Sequence, residues 1–197
     1  IHLREDRRHI NDFDLKKISK NKKIPLNLEM AANLSMLRVA LNNKPSFVCI
    51  VPEKRKEITT EGGLNLKRNF KQISKIVKIL NKNKVRTSLF INPNLRDVKF
   101  SKDLNVNCIE LHTGKLSNLI KKKQKFKKDF TKIKNSSRYA NKIGLEVHAG
   151  HGMDYKTTKI LSKIVEIKEF NIGHFIIGES IFDGLKSVIK KIKKKLK

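Results

Sequence analysis

Histidines and glutamates stand at the ends of short apolar runs along this sequence. These polar positions are His2, Glu29, Glu53 with Lys54, Glu110 with His112, His148 with His151, and Asn171 with His174. Imidazole and carboxyl groups that face one cavity can accept and donate protons near neutral pH. The pattern therefore predicts an acid–base catalyst whose groups come from several separate segments of the chain.

Two glycine-rich turns follow the last two of these runs. Residues 149–152 read AGHG, and residues 171–174 read NIGH. Glycine lets backbone N–H groups approach an anion closely, and a short helix starting after Gly173 would add the positive end of its dipole. The two turns together predict a phosphate site.

The elements that must position these groups alternate between strand and helix. Apolar β-type runs lie at residues 1–3, 26–30, 47–51, 87–91, 108–111, 145–148 and 170–172, and runs of helical period lie at 14–20, 34–41, 66–81, 95–102, 126–141, 156–165 and 185–196. The apolar positions of the third helical run form one stripe, made of Leu66, Phe70, Ile73, Ile76, Val77 and Leu80. This alternation predicts parallel strands with helices packed outside them.

The number of strands indicates the fold. A closed (β/α)8 TIM barrel has eight strands, with the active site at their carboxyl ends and a frequent phosphate site after the last two. Seven strands are visible here, and the chain begins at Ile1 inside one of them. We therefore expect a single α/β barrel domain over residues 1–197, N-terminally incomplete, with about seven βα units, the second to the eighth. An open doubly wound sheet is the alternative, but the sequence has no glycine-rich dinucleotide turn.

The positive charge of the chain raises a second functional hypothesis. Of its 197 residues, 46 are Lys or Arg and 18 are Asp or Glu, which gives a net charge of +28. Lysines outnumber arginines 37 to 9 and are spread over the helical runs, with two Tyr and no Trp. A nucleic-acid site would cluster arginines and aromatic residues, so solvated helix faces are favoured, with nonspecific, salt-sensitive binding to polyanions. A basic nucleic-acid-binding barrel without catalysis is the alternative.

The apolar runs and the cysteines exclude two other classes of protein. No apolar run approaches the roughly 20 residues that a membrane-spanning helix requires. Cys49 and Cys108 lie in separate apolar runs, so we expect two buried thiols rather than a disulfide framework or a thiolate zinc site. Buried free thiols are typical of a reducing compartment and favour a cytoplasmic protein.

Eight short segments also carry a family resemblance. They are residues 2–9 (HLREDRRH), 26–30 (LNLEM), 51–55 (VPEKR), 59–63 (TTEGG), 88–91 (SLFI), 109–114 (IELHTG), 149–152 (AGHG) and 171–174 (NIGH). In this order and spacing they resemble the pyridoxine 5'-phosphate synthase family of vitamin B6 biosynthesis. The resemblance covers essentially the whole chain and implies a (β/α)8 barrel. It also implies a transferase-type condensation and ring closure, without metal or organic cofactor, in a homo-oligomer that is an octamer in that family.

The resemblance further implies substrates and residue roles. The enzymes of this family condense 3-amino-2-oxopropyl phosphate with 1-deoxy-D-xylulose 5-phosphate to pyridoxine 5'-phosphate, phosphate and water. His2 and Glu29 would be proton acceptors, His151 the proton donor, and Glu110 would stabilise a transition state. The substrate-binding residues would be Arg4, His9 and Thr59 for the deoxyxylulose phosphate, and Gly152, Gly173 and His174 for the aminooxopropyl phosphate.

The sequence departs from the family pattern in two places. The family's first strand and its loop, which supply an Asn, an Asp-His pair and an Arg to both substrates, have no counterpart here. We therefore expect residues 1–197 by themselves to be inactive and prone to aggregation. His148 stands where the family pattern leads us to expect Asn, which would bring a second imidazole near His151.

Overall fold

The sheet of this protein is parallel and its strands follow one another in chain order. The computed structural model describes residues 1–21, 23–53 and 62–196. Within them the strands are β1 Asn27–Ala31, β2 Phe47–Val51, β3 Arg86–Ile91, β4 Cys108–His112, β5 Glu146–Gly150 and β6 Ile167–Asn171. Each strand pairs in parallel with the next one. The carboxyl ends of all six strands therefore lie along one rim, as the alternating sequence pattern predicts.

Helices occupy the connections between the strands. The described helices are α1 Asp12–Ser19, α2 Leu34–Asn43, α3 Leu66–Lys82, α4 Leu95–Asp103, α5 Gly114–Lys121, α6 Lys127–Lys142, α7 Tyr155–Leu161, α8 His174–Asp183 and α9 Leu185–Lys193. Seven of them fall on the predicted helical runs, and α8 is the short helix expected after Gly173. Helix α5 was not predicted, because its eight residues are too few to show a helical period.

The amino end differs from the predicted first strand. Residues 1–3 form only an isolated parallel bridge between His2 and Glu29, in which the Glu29 N–H donates to the Ile1 carbonyl at 2.8 Å. The chain then turns at once, since the Arg7 N–H donates to the Arg4 carbonyl and Arg7 has a φ of 57°. The described residues thus form six strands and a bridge where the sequence predicted seven strands, but His2 still lies beside β1.

Asparagine and aspartate side chains set the starts of the helices near the rim. Asn33 accepts the Met36 N–H before α2, Asn94 accepts the Asp97 N–H before α4, and Asp154 accepts the Thr157 N–H before α7. Each of these N-caps satisfies a backbone donor that has no partner within its helix. The caps therefore fix where the loops that follow the strands end.

The two faces of the sheet have different chemistry. In β4, Ile109 and Leu111 join the aliphatic core, in which the helices pack on the sheet. The alternate residues Cys108, Glu110 and His112 project to the opposite face, because side chains along a strand alternate between faces. One face of the sheet is thus aliphatic, while the other carries the ionisable groups.

Helix α3 shows how the excess of lysine is accommodated. Five of its six predicted apolar positions are buried, and the sixth, Phe70, packs edge-on against Phe100 with ring centroids 6.0 Å apart. Its lysines are exposed, and none of the buried residues in the described part of the chain is a lysine. The predicted solvated basic helix faces are confirmed for this part of the protein.

Two further expectations concern membranes and thiols. None of the helices in the described residues has the length and apolarity that a membrane crossing requires. Cys49 and Cys108 are both buried and unbridged, as predicted.

Candidate active site

A cavity of about 920 Å³ opens at the carboxyl ends of the strands. The resemblance assigns roles to ten residues, and eight of them line this cavity, namely His2, Arg4, Glu29, Glu110, His151, Gly152, Gly173 and His174. They come from the amino end of the chain, from strands β1 and β4, and from the turns that follow β5 and β6. The fold thus gathers acid–base groups and glycine-rich turns around one space.

The other two predicted residues are His9 and Thr59. His9 is exposed, has a φ of 73° and lies in the loop before α1 rather than in the cavity wall. Thr59 lies outside the residues that the structure describes. The predicted substrate roles of both residues remain predictions.

His2 and Glu29 form a pair of acid–base groups at one side of the cavity. His2 Nδ1 lies 3.5 Å from Glu29 Oε2. Burial lowers the pKa of His2 to about 4, with the charge of Arg4 as a second cause. Burial also raises the pKa of Glu29. The lowered pKa keeps the His2 imidazole neutral and able to accept a proton at neutral pH, and the raised pKa makes the carboxylate of Glu29 a stronger base.

Glu110 lies deep in the cavity and is almost fully buried, with 4% of its surface exposed. Asn171 Nδ2 donates a hydrogen bond to Glu110 Oε2 at 2.7 Å, and the Cys49 thiol donates to the same oxygen at 3.6 Å. Burial, followed by the charge of Glu29, raises the pKa of Glu110 to about 8. Glu110 therefore keeps its proton at neutral pH and can donate a hydrogen bond to developing negative charge.

The pKa of Glu110 predicts a pH dependence of stability. The pKa of Glu110 rises from 4.5 to about 8 on folding. The stability that this shift contributes is therefore complete below pH 4.5 and is lost as the pH rises towards 8. Glu110→Gln, which stays neutral, should gain stability over the unchanged protein as the pH rises. Thermal unfolding from about pH 5 to about pH 9 measures the difference. Melting curves that run parallel over this range would contradict the assignment.

The backbone at His151 is held in an unusual conformation. His151 and Gly152 have φ values of 77° and 74°. The Thr113 hydroxyl is 2.7 Å from both the Gly150 and the His151 carbonyl oxygens, and the Thr113 N–H donates to Gly150 at 2.9 Å. A left-handed backbone costs free energy for a residue with a side chain, so Thr113 stabilises a turn that keeps His151 at the cavity wall.

The second imidazole near His151 is His112 rather than His148. The rings of His112 and His151 lie 4.9 Å apart at an angle of 34°, and Phe90 packs edge-on against His112 at 5.3 Å. Burial, with the charge of His151 as the second cause, lowers the pKa of His112 to about 4. His112 is thus a neutral neighbour of His151, which the sequence placed at the same rim without a role.

His148 belongs to a separate group of side chains in the amino-terminal half of the strands. Its Nε2 lies 2.8 Å from Glu146 Oε1, and Arg86 pairs with Glu146 at 2.7 Å. Cys108, Glu146 and His148 hold potential ligand atoms within 4.8 Å of one another, the geometry a metal ion would need. Arg86 already supplies the positive charge there, so the group fits an ion-pair network inside the sheet better than a metal site.

Two glycines of the site differ in how much free space surrounds them. A Cβ at Gly150 would lie 2.0 Å from Glu110 Oε1, so only glycine leaves room for that carboxyl group. A Cβ at Gly173 would meet no atom within 4 Å, and Gly173 is the N-cap of α8. The helix therefore begins at an open part of the cavity, where its N–H groups can bind an anion.

Comparisons with known proteins point to one family. The family model described as pyridoxal phosphate biosynthesis protein PdxJ matches residues 1–197. A Pelagibacter ubique protein named pyridoxine 5'-phosphate synthase is 62% identical over 96% of this chain and 79% of the relative. A protein of the same name from Aliarcobacter butzleri is 42% identical over 100% of this chain and 84% of the relative.

Solved structures resemble the fold at much lower sequence identity. A 3-keto-L-gulonate-6-phosphate decarboxylase from Vibrio cholerae superimposes with a TM-score of 0.63 and 12% identity, over 94% of this chain and 78% of the other. A thiamine phosphate pyrophosphorylase from Pyrococcus furiosus superimposes with a TM-score of 0.59 and 12% identity, over 100% of this chain and 84% of the other. These likenesses concern the fold alone, and they agree with a (β/α)8 barrel of which part is present.

Proposed function

This chain belongs to the family of pyridoxal phosphate biosynthesis protein PdxJ and is an enzyme of the pyridoxine 5'-phosphate synthase kind, and we propose that the cavity at its rim is where the reaction takes place. One observation carries the proposal: the same cavity is lined by His2, Glu29, Glu110 and His151 and by the glycine turns at Gly152 and Gly173. The relatives support this activity and give no support to the alternative of a nucleic-acid-binding barrel without catalysis.

The acid–base groups suit the condensation of 3-amino-2-oxopropyl phosphate with 1-deoxy-D-xylulose 5-phosphate. Forming a pyridine ring from these compounds requires imine formation, enolisation and losses of water and phosphate, and each step moves protons. His2 and Glu29 would accept them, and His151 on the strained turn would donate them. Glu110, neutral at pH 7, would donate a hydrogen bond to an oxygen that gains negative charge.

The substrates would lie on opposite sides of the cavity. Arg4 beside His2 would bind the phosphate of 1-deoxy-D-xylulose 5-phosphate, with His9 and Thr59 as the further predicted contacts. Gly152, Gly173 and His174 would hold 3-amino-2-oxopropyl phosphate, since the start of α8 offers backbone N–H groups and the positive end of its dipole. Location in the cytoplasm and assembly into a homo-oligomer, an octamer as in the resembled family, belong to the same proposal.

The activity is testable in a completed chain, defined as residues 1–197 preceded by the first strand and loop of the longer Pelagibacter ubique relative. Incubated with both substrates, this chain should form pyridoxine 5'-phosphate and release phosphate in equal amounts. Omitting either substrate should stop both products. Phosphate release without the ring product would show that a different reaction occurs in the cavity.

Bulk at Gly173 should weaken the binding of one substrate selectively. Gly173→Val places a side chain in open cavity space, because no atom lies within 4 Å of the added Cβ. We expect the apparent KM for 3-amino-2-oxopropyl phosphate to rise about tenfold or more, since the side chain would block the approach of the phosphate to backbone N–H groups. Steady-state kinetics of the completed chain, with each substrate varied in turn, tests this. A rise confined to the deoxyxylulose phosphate would reverse the assignment of the two sites.

A further inference from the structure

Glu53 is a carboxyl group at the end of β2 to which the roles above assign nothing. Its side chain is 9% exposed, and it does not line the cavity itself, whereas the preceding residues Val51 and Pro52 do. Glu53 Oε1 accepts the backbone N–H of Glu5 at 3.1 Å. Its other oxygen, Oε2, is buried and has no hydrogen-bond partner among the described residues.

The imidazole of His2 lies between Glu53 and Glu29. His2 Nε2 is 3.8 Å from Glu53 Oε2, while Nδ1 on the other edge of the ring is 3.5 Å from Glu29 Oε2. Nε2 is also buried, and in the part of the chain that the structure describes it has no hydrogen-bond partner. Two buried, unsatisfied polar atoms therefore face each other on the side of the ring turned away from Glu29.

The position of the single N–H on the neutral imidazole of His2 decides whether His2 Nε2 and Glu53 Oε2 can form a hydrogen bond. With the proton on Nδ1, the lone pair of Nε2 and the oxygen of Glu53 would face each other as two buried acceptors, which is unfavourable for both. With the proton on Nε2, shortening the contact to the usual length of about 2.9 Å satisfies Nε2 and Glu53 Oε2. Nδ1 then faces Glu29, whose side chain is 33% exposed, so solvent rather than a buried acceptor pair surrounds that edge of the ring. Hydrogen bonds of catalytic groups often tighten in this way when substrate binds.

The groups around Glu53 bear on whether it accepts or donates this hydrogen bond. Burial raises its pKa, and the negative charges of Glu5 and Asp6 act in the same direction. The backbone N–H of Glu5 and the positive charge of Arg4 oppose the rise. A carboxylate that already accepts one N–H and lies near a cation is a hydrogen-bond acceptor, so Glu53 is placed to receive an N–H from His2.

We propose that Glu53 is a positioning residue, which accepts the Nε2–H of His2 and so leaves Nδ1 free to take a proton from the substrate. The inference rests on the proposed role of His2 as a proton acceptor. In that step the proton leaves the substrate for Nδ1, and the electron pair of the broken bond stays on the substrate. The ring becomes an imidazolium, whose charge the Glu53 carboxylate stabilises through the Nε2–H.

The tautomer of His2 provides a test that does not depend on activity. It is measured near neutral pH by 15N NMR of the completed chain labelled only at histidine, with His2→Gln identifying the signals of His2. We expect a protonated Nε2 and an unprotonated Nδ1. In Glu53→Gln the amide can donate towards Nε2, so the proton should move to Nδ1. A protonated Nδ1 in the unchanged protein, or an unaltered tautomer in Glu53→Gln, overturns the proposal.

Kinetics then separate positioning from a general effect of charge. We expect Glu53→Gln to lower kcat about tenfold to a hundredfold, to leave both KM values within about twofold, and to shift the acidic limb of the pH–rate profile. Glu5→Gln is the matched control: it removes one negative charge next to Glu53 and keeps the backbone N–H that Glu53 accepts. Equal losses of kcat in the two variants would contradict a positioning role. An inactive completed chain would disprove the proposed function, while the NMR result would still decide the role of Glu53.

Discussion

His151→Asn in the completed chain is expected to lower kcat by about two to four orders of magnitude, the range usual for loss of a positioned acid or base. The physical reason is the position of the imidazole at the cavity wall, on a turn that Thr113 holds. Asparagine is the informative replacement, because it adopts a left-handed backbone more readily than most residues and so preserves the φ of 77°. Single-turnover and steady-state assays of ring formation measure the loss.

The matched control for this experiment is His148→Asn. It removes a buried imidazole of the preceding strand β5, which bonds Glu146 and does not line the cavity. We expect its kcat to stay within about threefold of the unchanged enzyme, with any effect falling on stability. Equal activity of His151→Asn and the unchanged enzyme would remove His151 from the mechanism.

Gly150→Ala is expected to reduce activity about a hundredfold or more and to destabilise the protein by about 1–3 kcal/mol. The new methyl group would lie 2.0 Å from Glu110 Oε1 and 3.1 Å from the Asn171 Cβ, so the carboxyl group must move. Moving Glu110 breaks its hydrogen bond from Asn171 and leaves buried polar atoms unpaired. Urea unfolding and the condensation assay measure the two effects.

A double-mutant cycle attributes the effect of Gly150→Ala to Glu110. When Glu110→Ala has already removed the carboxyl group, adding Gly150→Ala should cost much less stability than it does alone. Gly178→Ala in α8 is the matched control, because its methyl group meets no atom within 4 Å and alanine favours a helix. If Gly150→Ala cost the same stability with and without the Glu110 side chain, a steric clash between the new methyl group and the Glu110 carboxyl group would be the wrong explanation.

Much of the site follows from chain order alone. In a parallel sheet that alternates with helices, every strand ends at the same rim, so polar residues at strand ends must converge wherever they lie in the sequence. For this reason Glu29, Glu110, His151 and Gly173 could be placed together before any distance was known, and the structure brings them around one cavity. The apolar stripe of α3 was equally predictable, since its helical period is a local property.

Element boundaries were less predictable where local signals were weak. Residues 1–3 have β-type composition but form a single bridge, because the turn at Arg7 takes the chain away from the sheet. Helix α5 follows β4 directly and starts without a side-chain cap, so its eight residues gave no start signal and too short a period.

The sequence by itself determined the fold class, the rim and the kinds of groups gathered there, because these depend on local periodicity and on the order of the elements. Only the tertiary structure decided which groups touch and which hold protons. Glu110 is bonded by Asn171, 61 residues away in sequence, and the imidazole beside His151 proved to be His112 rather than His148. Protonation depends on burial and on charges within a few ångströms, and neither quantity exists until segments distant in sequence have packed together.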